Sequence, residues 1–155
     1  MKTLSKLIVV ASLLFAASGA NAEAPHGHDH HHKAPVGGPK GGRLLENTQP
    51  HAEFFVEKDL SVTVTFYDED LKQVSAEEQN VSVIAETDGK KTTLDFEKKG
   101  DVLASKGPLP KEHALNLVVR FQQTPDDKSH NFRFVYEDHV CDICKRAEYA
   151  CICGH

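Results

Sequence analysis

Apolar and polar residues alternate through most of the middle of the chain. Leu60, Val62, Val64 and Phe66 fall on one face of an extended segment, and Ser61, Thr63, Thr65 and Tyr67 on the other. Successive side chains leave a strand on opposite sides, so period-two alternation marks a strand with one buried face. The pattern recurs in Ala52, Phe54 and Val56, in Val81, Val83 and Ala85, and in Leu94 and Phe96. It returns in Leu115, Leu117, Val119 and Phe121, and again in Phe132, Phe134 and Tyr136. Turn-forming clusters separate the runs: Lys58-Asp59, Asp68-Glu69-Asp70, Asp88-Gly89, Lys99-Gly100-Asp101, Pro108 to Pro110 and Pro125-Asp126-Asp127. About seven short strands without a convincing helix predict an all-β fold over residues 44–137. The expected form is an antiparallel β-sandwich of immunoglobulin-like look, with an open barrel as its rival.

The alternation is absent at both ends. Met1 to Ala22 begins with Lys2 and Lys6, continues as an apolar run from Leu7 to Ala17, and closes on Ala20-Asn21-Ala22. A positive end, a short apolar middle and a small-residue A-x-A site are the parts of a cleavable signal peptide. The 11-residue apolar run falls short of the roughly 20 residues that span a bilayer. Export to the periplasm is therefore expected, with a mature chain from Glu23 and, as no cysteine follows the cleavage site, no membrane anchor. Residues 23–43 read as a disordered head with Pro25, Pro35 and Pro39, the glycines of Val36-Gly37-Gly38-Pro39-Lys40-Gly41-Gly42, and little to bury.

Composition narrows the partners. Without the 22-residue signal, the chain of 155 keeps 133 residues, with 16 basic and 23 acidic side chains and a formal charge of −7. One domain with tails fits that length. An acidic balance argues against nucleic acid, whose phosphates need a basic surface. Metal cations are compatible with it, although solubility alone also produces such a surface.

The candidate chemistry lies in the two ends. The tail, residues 138–155, holds every cysteine: Cys141 and Cys144 as C-x-x-C, then Cys151 and Cys153 as C-x-C. Four thiolates, or three with His155 or His139, satisfy the tetrahedral preference of zinc, and soft sulfur equally suits monovalent copper. Lys145 and Arg146 are placed to offset thiolate charge, and Gly154 suits a chain bending close to a metal. The same cysteines could instead form two disulfides in an oxidising compartment, or serve thiol redox chemistry through Cys141 and Cys144. Haem attachment is disfavoured, because Lys145 rather than a histidine follows Cys144. The head carries His26, His28, His30, His31 and His32, a cluster suited to weak, exchangeable capture of divalent copper, nickel or zinc that acid reverses. His51 opens a strand on the face of Glu53, opposite Ala52, Phe54 and Val56, and is expected at the surface. His113 and His130 receive no role. No nucleophile elbow or phosphate-cradling glycine loop occurs, so no enzyme is expected.

From Gly41-Gly42-Arg43 through His51-Ala52-Glu53-Phe54 to Val62-Thr63-Val64-Thr65-Phe66-Tyr67-Asp68, ending near Val74, the sequence resembles small periplasmic proteins associated with heavy-metal efflux. It is similar also to the N-terminal extension on some periplasmic adaptor subunits of metal-exporting RND pumps. In those, a histidine often precedes the glycine pair and a second opens a strand that ends in an acidic turn. Lys40 stands at the first position here, and His51 matches the second. The resemblance covers about 35 residues of a pattern common to many β folds. It implies metal handling in the periplasm, with an efflux component as a partner, and a protein that buffers or delivers copper or zinc. The alternative, from the residues alone, is a non-catalytic interaction or structural domain whose tail is stapled by disulfides.

Overall fold

The computed structural model describes residues 36–153. Among them, nine strands follow in chain order: β1 (Arg43–Leu45), β2 (His51–Val56), β3 (Val62–Tyr67), β4 (Gln73–Val74), β5 (Asn80–Thr87), β6 (Lys90–Lys99), β7 (Val102–Ser105), β8 (Ala114–Gln122) and β9 (His130–Glu137). All strand pairs are antiparallel. The inward faces are the ones the alternation marks: Phe54, Val62, Val64, Phe66, Val83 and Val119 are fully or almost fully buried. No helix among the described residues is long and apolar enough to cross a membrane.

The expectation of an all-β, antiparallel fold holds, but the sandwich is not confirmed. The strands form one path, β1-β2-β3-β7-β6-β5-β8-β9, with β4 beside β3. The reason lies in β6, whose first part to Asp95 pairs with β5 while Phe96 to Lys99 pairs with β7. A strand shared in this way carries the sheet around a bend. The ends of the path then meet: the Arg43 guanidinium lies 4.9 Å from the ring centroid of Phe134, and Phe54 meets Phe134 edge-on at 5.3 Å. The sheet is thus nearly closed into a barrel, the architecture named above as the rival. Closure shelters the edge strands that an open sheet exposes.

Several local expectations change. Alternation puts Leu60 in the first-named strand, yet it sits at φ 66 in the turn closed by the Glu57 N–H to Ser61 carbonyl bond of 2.8 Å, and the strand starts at Val62. The short strands β1, β4 and β7 carry too few residues to show alternation. The segment from Val36 to Gly42, assigned to the disordered head, lies against β2. Gly37 bridges to Arg43, and the Leu44 N–H donates to the Val36 carbonyl at 3.3 Å.

That covering segment buries Glu53, which the alternation placed on the outer face. The carboxylate accepts hydrogen bonds from the Gly42 N–H at 2.7 Å, the Lys40 N–H at 3.0 Å and the Tyr67 hydroxyl at 2.7 Å. A buried carboxylate is tolerated only with such donors. Glycine is needed where the loop passes it, because a Cβ on Gly38 would overlap the Glu53 carboxyl group and one on Gly42 the Phe54 carbonyl.

Candidate metal centre

The chain leaves β9 and doubles back on itself. Val140 bridges to Ala147, the Cys141 N–H donates to the Arg146 carbonyl at 2.8 Å, and the Lys145 N–H donates to the Cys141 carbonyl at 2.9 Å. Lys145 takes a left-handed φ of 58° to close this knuckle. The C-x-x-C spacing thereby puts two sulfurs on one side of a single tight turn. A 3-10 turn at Glu148–Ala150 follows and sets Cys151 and Cys153 opposite them.

Tyr149 fixes this turn to the barrel. Its ring fills the seam among Phe54 (6.1 Å between centroids), Phe134 (6.4 Å, stacked) and Tyr136 (5.6 Å). Its hydroxyl accepts from the Val56 N–H at 2.9 Å, and its carbonyl accepts from Arg43 at 3.3 Å. Burying an aromatic ring with its polar end satisfied stabilises by roughly 1.5–3 kcal/mol. The knuckle is held on its other side by Arg146, which donates to the Gly38 carbonyl at 3.2 Å.

The four sulfurs of Cys141, Cys144, Cys151 and Cys153 all lie within 4.8 Å of one another, and all four are thiols. The sulfurs are 3.7 Å apart between Cys144 and Cys151 and 3.9 Å apart between Cys141 and Cys153. Tetrahedral coordination with zinc–sulfur bonds of about 2.3 Å places sulfurs about 3.8 Å apart. The donor set and its spacing therefore fit one tetrahedral soft ion. Protonation is uneven within the cluster. Backbone hydrogen bonds at Ile152 and then Arg146 hold the Cys144 thiol down to about 6. Burial, followed by hydrogen bonds with the neighbouring thiols, pushes Cys153 up to about 12. At Cys151 a backbone hydrogen bond with Cys153 favours the thiolate, but burial and bonds to Cys141 and Cys144 outweigh it and raise the pKa. Crowded sulfurs ionise one at a time unless a cation offsets their charge.

The other residues singled out above are placed as follows. His139 lies outside the group of four sulfurs; its ring is 3.9 Å from carboxylate oxygens of both Glu137 and Glu148. Lys145 is exposed and reaches Asp142 at 4.0 Å. His51 is half-buried and lines a cleft with Leu45, Glu46 and Glu69, apart from the cysteines. His113 pairs with Asp138 at 2.7 Å, and His130 is exposed. His26, His28, His30, His31, His32, Gly154 and His155 lie outside the described residues. Tyr149 stands in the spacer between the cysteine pairs and belongs to neither ligand motif. An aromatic residue in a six-residue spacer is a signal that the spacer itself packs on something.

Searches with the whole chain against family models, curated proteins and solved structures gave no match.

Proposed function

We propose that this protein binds one transition-metal ion of the zinc or monovalent-copper class through Cys141, Cys144, Cys151 and Cys153. One observation carries that reading: four thiols from two short motifs converge within 4.8 Å, held there by a turn locked into the barrel. In this reading the protein is exported to the periplasm by its N-terminal signal, as the segment Met1 to Ala22 supports. There it buffers metal or delivers it to a component of heavy-metal efflux, without catalysing a reaction of its own. The histidine head is an auxiliary that gathers ions weakly.

Native mass spectrometry of the reduced protein, purified after export and titrated with zinc or with monovalent copper, tests it. The expected result is one ion per chain, lost when the four cysteines are changed to serine. Two disulfides with no uptake after reduction would replace this reading by a stapled structural tail. Uptake that survives the serine changes and is lost on deleting His26 to His32 would move the function to the head.

A further inference from the structure

The four sulfur ligands are not equivalent, and the difference follows the two motifs. The first cysteine of each pair is buried and the second is half-exposed: Cys141 and Cys151 are 4% and 9% exposed, while Cys144 and Cys153 reach solvent. The backbone explains the pairing. Both main-chain groups of Cys141 are used, its N–H to Arg146 and its carbonyl from Lys145. Cys151 follows directly on the buried Tyr149 and Ala150, and its N–H donates to the Glu148 carbonyl at 3.0 Å. Moving either sulfur requires opening the knuckle or withdrawing Tyr149 from the seam.

The second cysteines are held differently. Cys144 sits at the tip of the knuckle beside Ile143, which is 76% exposed, and Cys153 follows Ile152, which is 40% exposed. The Cys153 N–H donates to the Cys151 sulfur at 3.4 Å. An incoming ligand can approach these two sulfurs from solvent, whereas those of Cys141 and Cys151 are covered, and withdrawal of the Cys144 sulfur must break its backbone hydrogen bonds with Ile152 and Arg146.

We infer that Cys144 and Cys153 form the exchange edge of the metal centre, through which an incoming thiolate ligand loads and unloads the ion, while Cys141 and Cys151 retain it until last. This inference rests on the metal-binding reading above. In each exchange the incoming thiolate gives a lone pair to the ion as the Cys144 or Cys153 sulfur withdraws. Four sulfurs stay bound to the ion, no oxidation state changes, and the departing thiolate takes a proton from water. A thiolate acceptor matches the soft character that four sulfurs select.

Labelling of the wild-type chain tests this without any variant. The zinc-loaded protein is treated with limiting N-ethylmaleimide, and the modified cysteines are mapped by mass spectrometry as zinc release is followed with a chromogenic chelator. Cys144 and Cys153 are expected to be modified first, with zinc released in step and Cys141 and Cys151 modified last. Equal labelling of all four, or labelling led by Cys141 or Cys151, with zinc bound at the outset overturns the inference and leaves the metal centre standing. A wild-type chain that takes up no zinc overturns both. As a second measurement, Cys144→Ser and Cys153→Ser are expected to bind zinc still, with affinity lowered at least as much as the roughly 10- to 100-fold that loss of a supporting contact costs. Cys141→Ser and Cys151→Ser are expected to lose stoichiometric binding, and the reverse order overturns the inference.

Discussion

The guanidinium of Arg146, in the spacer between the two cysteine pairs, donates a hydrogen bond at 3.2 Å to the carbonyl of Gly38, 108 positions earlier in the chain. The same carbonyl accepts from the Gly41 N–H at 3.1 Å. One oxygen thus ties the cysteine knuckle to the glycine loop over β2, and the side chain and main chain of Arg146 have separate duties, the latter bonding Cys141.

Arg146→Ala is expected to loosen the loop and leave the sulfurs in place. Its carbonyl survives the change, so zinc stoichiometry is unaffected, while amide hydrogen exchange at Val36 to Gly42 accelerates. A charge-assisted hydrogen bond contributes about 1.5–3 kcal/mol, less where partly exposed. Unchanged exchange in the variant would show that the contact does not hold the loop.

Glu53→Gln is expected to destabilise the barrel by about 1.5–3 kcal/mol, because an amide presents a donor to one of three groups that already donate. Tyr67→Phe removes only one of those donors and costs less, on the order of 1 kcal/mol. Urea midpoints of the two variants at constant slope decide the order. A Gln variant as stable as wild type would mean the carboxylate is dispensable.

Gly42→Ala pushes a methyl group against the Phe54 carbonyl. Backbone gives way less readily than a side chain, so a loss of about 1–3 kcal/mol is expected, as for overpacking of a core. Thermal unfolding of the variant measures it, and a midpoint equal to wild type would refute the close approach.

All three tyrosines are pushed above their ordinary pKa: Tyr149 to about 12 by burial, Tyr67 by burial and its bond to Glu53, and Tyr136 by burial and the charge of Asp138. A raised folded-state pKa means that the stabilisation is complete below the unfolded value of 10 and is lost as pH climbs through the folded value. For Tyr149 that amounts to on the order of 2–3 kcal/mol. Tyrosinate absorbance is therefore expected to stay low at pH 10 and to rise together with loss of β-sheet circular dichroism at higher pH. A tyrosine titrating near pH 10 in the folded protein would contradict the packing of the seam.

Local signals were legible in the chain from the start. The alternation located Phe54, Val64, Val83 and Val119 as core, since a strand's inward face must be apolar whatever it meets. Asp88-Gly89 marked the β5–β6 hairpin, where both residues take positive φ, 45° and 76°. The cysteine spacing named the ligand atoms of the candidate centre, because C-x-x-C and C-x-C bring sulfurs together within a few bonds. His139 was equally near in sequence and is not among the clustered ligands, its ring lying near Glu137 and Glu148 instead.

What the sequence alone determined is accordingly what a few consecutive residues determine: strand faces, turns, and which side chains are candidate ligands. Barrel closure, the burial of Glu53 and the division of the cysteines into a buried pair and a half-buried pair were decided only in three dimensions. Their physical cause is contact between residues remote in sequence, as in the Val56 to Tyr149 and Arg43 to Tyr149 hydrogen bonds, which span 93 and 106 positions. Alternation reports that one face of a strand is buried. Whether a second layer covers the other face depends on where distant segments come to rest.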